Sequence, residues 1–390
     1  MNADERRCAL ALSRMGYHNI TVLRELYNAW GSMADIVKQH AHPEQLAPNM
    51  PERLLAAFAH TDEHLKRADE EMRFAQDNNI SIITLADEAY PQRLKACFDA
   101  PLALFFKGNA NLNAKHCISI VGTRKATPYA ADCIAQLTAR LKQLCPDILI
   151  VSGLAYGVDI MAHRQAIDHA LPTVAVLAHG LDTLYPTRHR KEATLMMQNG
   201  GLLTEYFSQS KIDKRNFLQR NRIVAGMSAA TLLVESAEHG GGLVTCRLAQ
   251  SYQHDVFAFP GNINNPYSVG CNRLIRDNVA GLVTSAEDIL KAMAWEEDMK
   301  ETVATNGASS NAASTMGSSV LGATSASTAK VPNGAQGVLD VLTKENDLHI
   351  NIIATRAGLP VNKVLALLFQ LEMSGMVSSL SGGRYHKVNS

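Results

Sequence analysis

The 390-residue sequence predicts an α/β chain: a doubly wound, mostly parallel sheet, with a helical segment before it and a winged-helix segment after it. Three observations carry this reading. From residue 81 onward, short β-rich runs recur that are apolar throughout, the pattern of strands covered on both faces. Helical segments separate the later runs, as a parallel sheet with crossover helices requires. Residues 1–78 lack such runs and space their apolar residues by three and four, the period of helices buried on one side.

The elements follow in order. Leu10, Leu12, Val22, Leu23, Leu26, Ile36, Val37, Leu54, Leu55 and Phe58 form the predicted buried stripes of a small helical domain over 1–78. Strands are predicted at Ser81–Leu85, Leu102–Phe106, Cys117–Val121, Ile148–Val151, Thr173–Ala178, Leu202–Glu205, Thr231–Glu235 and Val256–Phe259, within a sheet domain over 79–295. Thr127-Pro128 opens one intervening helix, as an N-cap followed by proline at the first helical position. Gly200-Gly201 is expected to close another. In such sheets ligands bind beyond the carboxyl ends of the strands. The loops after Val121, Val151, Ala178, Glu205, Glu235 and Phe259 are therefore the candidates.

Between Glu301 and Lys330 there is no charge, only a run rich in Ala, Ser, Thr, Gly and Asn, which predicts a flexible linker over 296–333. Three short helices at Val338–Leu342, Ile350–Ala357 and Asn362–Met373 precede a hairpin with Gly382-Gly383 at its turn, the order of a winged helix over 334–390. The third helix offers Lys363 and Glu372 and is otherwise largely apolar (Val364, Leu365, Leu367, Leu368, Leu371). A groove-reading helix needs more polar side chains than that, so a protein-contact or packing role is favoured.

Thirty-seven basic and 37 acidic residues leave no net charge, and 46% of residues are hydrophobic, as in a globular chain. No run approaches the ~20 apolar residues of a membrane span, so no membrane insertion is expected. Met1–Arg7 has acids and no apolar core behind a basic flank, so no secretory signal is expected and the predicted location is cytoplasmic. Seven scattered cysteines without a C-x-x-C pair predict reduced thiols, with no disulfide and no metal site. No cofactor is expected. Against this neutral background, five Lys/Arg and one acid between Lys211 and Arg222 give a local charge of +4, with Phe217 inside the run. Cations neutralise phosphates and an aromatic face stacks an unpaired base. A solvated helix face is the plain alternative.

The candidate loops carry further signals. Gly122-Thr123-Arg124-Lys125 leads from a strand into the capped helix and offers backbone N–H groups and two cations to an anion. It has one glycine where a dinucleotide fingerprint needs three, and the next strand ends without an acid for the ribose; both absences argue against NAD. Ser152-Gly153-Leu154-Ala155-Tyr156-Gly157-Val158-Asp159 follows; its glycines permit close backbone approach or tight packing. Asp159 and His163, four apart on one helix face, are either an acid–base pair or, more simply, a first-turn carboxylate and a neighbour. The turn at His179–Asp182 leads into Tyr185-Pro186 and a second basic cluster, Arg188 to Lys191. Gly240-Gly241-Gly242 opens another anion-friendly helix. No P-loop motif occurs.

Together these loops resemble the DprA/Smf family (DNA-processing protein A). The resemblance rests on Gly122-Thr123-Arg124, Ser152 to Asp159, Gly180-Leu181-Asp182 with Tyr185-Pro186, Arg220-Asn221-Arg222-Ile223, Val256 to Gly261, and Gly270 to Ile275, in register over about 80–290. It implies a Rossmann-like sheet domain, a SAM-like helical domain before it and a winged helix after it. It also implies a protein that binds single-stranded DNA, protects it, and loads the RecA recombinase onto it during natural transformation, without catalysis. By motif, Arg124 and Lys214 would hold phosphates and Phe217 would stack a base. Arg220, Asn221 and Arg222 would line the same groove, and backbone amides near Gly122 and Gly153 would complete the phosphate seat. Homodimer contacts would fall near Leu274 and Ile275. Leu218 stands where a proline is common, and His239 to Gly242 replaces a Ser-Gly-Ser, yet neither change removes a charge or the ring.

Two rivals are distinguishable. A nucleotide phosphoribohydrolase of the lysine-decarboxylase-like group would use Gly240 to Gly242 and Thr245, but Leu248 occupies the place of its carboxylate. A transcriptional regulator would need a more polar recognition helix.

Overall fold

The computed structural model describes residues 3–17, 19–47, 50–296, 335–346, 348–374, 376–380 and 382–387. The chain divides into two compact units, 1–286 and 287–390. The linker predicted over 296–333 lies, beyond Glu296, outside the described residues.

The first unit opens with helices α1 (Ala3–Met15), α2 (Ile20–Trp30), α3 (Met33–Lys38), α4 (Glu52–Phe58) and α5 (Thr61–Asp77). Their apolar stripes are buried as expected, Leu10, Leu12, Leu23, Ile36, Leu54 and Phe58 almost completely. One continuous cluster of buried side chains joins these stripes to the sheet residues Ile83, Leu104 and Val176. Residue 78 is therefore a change of secondary structure and not a break in packing.

The sheet has nine strands: β1 (Ser81–Thr84), β2 (Ala103–Gly108), β3 (Cys117–Val121), β4 (Leu149–Ser152), β5 (Thr173–Val176), β6 (Gly200–Thr204), β7 (Ala230–Leu233), β8 (Asp255–Ala258) and β9 (Gly281–Leu282). Their spatial order is β1-β2-β6-β5-β4-β3-β7-β8-β9. β2 runs antiparallel to both β1 and β6, and the pairings from β6 to β9 are parallel. β3, β4, β5 and β7 are buried throughout, because helices cover both faces.

The helices are α6 (Gln92–Ala96), α7 (Pro128–Leu144), α8 (Val158–Asp168), α9 (Arg190–Met196), α10 (Lys214–Met227), α11 (Gly241–Ser251) and α12 (Val269–Arg276). Thr127 is the N-cap of α7, with Pro128 at its start, as the sequence predicts. Gly200-Gly201 does not close a helix: α9 ends at Met196 and both glycines begin β6. Gly200 takes φ +155°, and a Cβ there would collide with the Thr173 carbonyl on β5. Glycine serves close strand pairing within the sheet here, not a helix end.

The chain winds outward from β3 through β4 and β5 to β6, then crosses by α10 to β7 on the other side of β3. The topological switch point thus lies between β3 and β7, where the loops leaving the two strands part to opposite faces.

In the second unit, α13 (Ala286–Ala292) overlaps the division, and α14 (Gln336–Lys344), α15 (Ile350–Ala357) and α16 (Val361–Met373) follow. A three-stranded sheet of β10 (Leu348–His349), β11 (Val377–Leu380) and β12 (Arg384–Lys387) completes a winged helix around Val338, Leu342, Ile353, Val364, Leu368 and Leu371. Gly382 and Gly383 both take positive φ at the hairpin turn. No helix among the described residues is long and apolar enough to cross a membrane.

Candidate nucleic-acid interface

A groove of about 430 Å³ opens at the switch point. Its walls are the turn after β3, the turn after β4, the glycine turn before α11 and one face of α10. Helical spacing selects the face: Phe217, Leu218, Asn221 and Val224 line the groove, and Lys214 stands exposed one turn ahead of Phe217 on the same side.

The turn Thr123–Thr127 carries the groove's exposed cations, Arg124 and Lys125. It is held from β7. Thr123 N donates to the Glu235 carbonyl at 2.8 Å, while Thr127 N and Thr127 Oγ1 donate to the Glu235 carboxylate at 2.9 and 2.7 Å. Glu235 is buried, and its negative charge sits at the N-terminus of α7, where the helix dipole favours it. Among the described residues Arg124, Lys125 and Lys214 have no carboxylate partner, so their charge is available to a ligand.

Arg124 lies over Phe217, guanidinium carbon to ring centroid 5.6 Å. Tyr185 meets the same ring edge-on at 5.7 Å. Phe217 is half-buried, and Leu218 and Tyr185 beside it are exposed. Two free cations and an open aromatic–apolar surface are thereby brought together. Asn221 lines the groove and reaches toward the Gly241 carbonyl at 3.5 Å.

Three sequence expectations are corrected. Arg220 does line the groove, yet as its floor: it is buried, and its Nη1 donates to the carbonyls of Gly153, at 2.6 Å, and Val176. Burial pulls this guanidinium below its ordinary value, against the attraction of Asp159. Arg222 faces away from the groove. The helix turn carries it toward β6, where it is buried, bonds the Asp99 carbonyl at 2.6 Å and pairs with Glu205. The amide of Gly153 is not left for a phosphate, because the Asp159 carboxylate takes the backbone N–H groups of Gly153 and Ala155. Desolvation at the groove floor pushes that carboxyl up, while Arg220 and the two amides draw it down. Gly122 and Gly153 are required by close approach: a Cβ at Gly122 would strike Val158 and the Glu235 carbonyl, and one at Gly153 the Arg220 guanidinium.

Asp159 and His163 are not an acid–base pair. His163 is buried, its Nδ1 lying 2.8 Å from Thr173 Oγ1 and its Nε2 having no hydrogen-bond partner among the described residues. Leu274 is buried within the core cluster and Ile275 packs partly against it; the exposed apolar side chains nearby are Ile263, Val269 and Leu282. The second basic cluster contributes Tyr185 to the groove through Phe217. Sequence reasoning missed Glu235 as the anchor of the Arg124 turn, and Tyr267 in the groove wall. The only signal for Glu235 was an acid at a strand's carboxyl end. Among the described residues no group of His, Cys, Asp and Glu could hold a metal ion.

A family model described as DNA recombination-mediator protein A matches residues 81–294, and one described as the DprA winged helix domain matches 322–383. Protein Smf of Escherichia coli is 32% identical over 323 residues, covering 82% of this chain and 80% of that protein. DNA processing protein DprA of Streptococcus pneumoniae is 35% identical over 207 residues, 53% of this chain and 72% of that one. The X-ray structure of the Streptococcus pneumoniae protein superposes with a TM-score of 0.62 at 29% identity, over 72% of this chain and 95% of the other. A Helicobacter pylori DNA processing protein A, whose structure is described in terms of its single-stranded DNA binding mode, superposes with a TM-score of 0.50 at 29% identity, over 56% of this chain and 96% of the other. With the loops at the switch point, the nine-stranded sheet and the winged helix all accounted for, the chain belongs to the DNA recombination-mediator protein A family.

Proposed function

We propose that this chain binds single-stranded DNA in the switch-point groove, with little sequence preference, and delivers it to the RecA recombinase during natural transformation. One observation carries the binding reading: Arg124 lies over a half-open Phe217 in the groove, with the exposed Lys214 one helical turn ahead of that ring. Cations along a backbone path and a ring face are the two elements a naked strand requires, and neither reads base edges. Arg124 and Lys214 seat phosphates, Phe217 stacks a base, and Gly122, Asn221 and the buried Arg220 shape the wall and floor. The charge of Arg220 and Asp159 is spent within the protein, so the floor is scaffold and the reading is that of a binding protein and not an enzyme.

Delivery to RecA, assembly as a homodimer and a cytoplasmic location are the family-level part of the proposal, supported by family membership. The test of the binding reading is a salt titration of single-strand and duplex affinity. Single strands should bind more tightly, and log affinity should fall linearly with log salt. Equal affinity for the two forms, or no salt dependence, rejects it. Release of ribose 5-phosphate from a nucleotide panel favours the phosphoribohydrolase instead.

A further inference from the structure

A second cavity, of about 410 Å³, opens on the other side of the first turn of α10. Asn216 lines it, while the adjacent Phe217 lines the groove, so a single helical turn separates the two. The remaining walls come from the end of α1 and the start of α2, from Arg67 on α5, from residues 101–103 at the start of β2, and from the connection between β6 and α10, whose Glu205 is already paired with Arg222.

This cavity repeats the chemistry of the groove. Arg14 and Lys211 are exposed cations on its rim. Arg14 contacts the neutral-capable ring of His64 at 3.3 Å, and among the described residues neither cation has a carboxylate partner. Tyr17 and Phe207 offer half-buried rings in the wall. The Tyr17 ring is held in place: it packs 5.8 Å from Tyr206, and its hydroxyl lies 3.1 Å from both Tyr206 Oη and Asn216 Oδ1. A preorganised ring beside two free cations loses little entropy on receiving a base. The volume falls within the roughly 300–1,000 Å³ range of small-ligand sites.

We propose that this cavity is a second nucleotide seat for the same DNA strand, stacking one unpaired base against Tyr17 and holding the flanking phosphates on Arg14 and Lys211. The inference rests on the reading of the groove as a single-strand site. It gives the N-terminal helices a direct part in binding, because α1 supplies Arg14 and the turn that follows it supplies the Tyr17 ring.

The test compares Arg14→Ala/Lys211→Ala with the unaltered full chain, using oligothymidylates of about 5 and about 15 nucleotides, which bracket the range of single-strand sites. Both substituted side chains are exposed, so the fold is retained. The long strand should bind the variant several-fold more weakly, with a salt slope shallower by about 1.4, as expected for two lost phosphate contacts at about 0.7 each. The short strand, held by the groove alone, should bind as before. An unchanged affinity and slope for the long strand, or an equal loss for both lengths, overturns the second seat. Arg124→Ala run alongside should weaken both lengths; no effect at either length overturns the groove reading and this seat with it.

Discussion

The guanidinium of Arg124 lies over the ring of Phe217, 5.6 Å from its centroid, and so joins the turn after β3 to the outer face of α10. The pair holds a long, mobile cation near the place where a phosphate would arrive next to a stacked base. Phe217→Ala should cost ~1–3 kcal/mol of single-strand affinity. Arg124→Ala should reduce the salt slope by about 0.7. Because each orients the other, the double variant should lose less than the sum, by about 0.5–1 kcal/mol, the scale of an exposed cation–π contact. A double-mutant cycle on oligonucleotide affinity measures this, and strict additivity would show that the contact has no part in binding.

Glu235 should matter for DNA affinity without touching DNA. Its carboxylate holds Thr127 N and Thr127 Oγ1, and its carbonyl holds Thr123 N, so it fixes both ends of the turn that bears Arg124. Glu235→Ala leaves two donors without their acceptor and should destabilise the fold by ~1–3 kcal/mol. Affinity for single strands should fall while the salt slope stays as it was, because no phosphate contact is removed. Glu235→Gln, which keeps an acceptor, should recover part of both losses. A reduced slope in Glu235→Ala would mean that the turn itself has been lost.

Much of this was readable from residue order alone. Apolar runs between turn residues locate β3 and its neighbours to within a residue or two, because a strand buried on both faces tolerates little else. Thr127-Pro128 marks the start of α7 through local backbone chemistry. What local chemistry does not contain is the partner of each charge. Arg220 and Arg222 read as members of one exposed basic run with Lys214. Yet their helical phase turns Arg220 onto strand-end carbonyls and Arg222 onto a carboxylate 17 residues earlier. The reversal of β2 is likewise a property of the assembled sheet edge and leaves no mark on its own composition.

The Arg222–Glu205 pair separates stability from binding. Both groups are buried, and Arg222 also donates to the Asp99 carbonyl. Glu205→Ala strands a buried guanidinium and should destabilise the fold by ~3–5 kcal/mol. The double variant Glu205→Leu/Arg222→Met, with no buried charge at all, should recover most of that. Urea unfolding followed by circular dichroism reads these differences. At temperatures where the variants are folded, affinity for the short oligothymidylate, held by the groove alone, should match that of the unaltered chain, because Glu205 lines only the second cavity. A large loss of affinity in the folded double variant would return Arg222 to the DNA-binding set.

His163 should make the fold sensitive to acid. Thr173 Oγ1 donates its proton to the Ile150 carbonyl at 3.0 Å, so His163 Nδ1, 2.8 Å away, must be the donor to that oxygen. Nε2 is buried without a hydrogen-bond partner among the described residues, and burial, with Arg220 and His189 adding repulsion, pulls the ring from 6.5 down to about 3 and so holds it neutral. A histidine whose folded value is depressed takes up its proton more readily in the unfolded chain. Its contribution to stability is thus complete above the unfolded value and declines as pH falls from about 6.5 toward about 3, approaching about 1.4 kcal/mol per pH unit. His64 and His254 are depressed in the same direction, so the effect of His163 must be taken as a difference. Urea unfolding of the full chain and of His163→Leu between about pH 7 and about pH 5 isolates it, because the other histidines cancel. Whatever the variant's stability at pH 7, its loss on acidification should be the shallower of the two, and parallel curves would show that the ring is already protonated, or already exposed, in the folded chain.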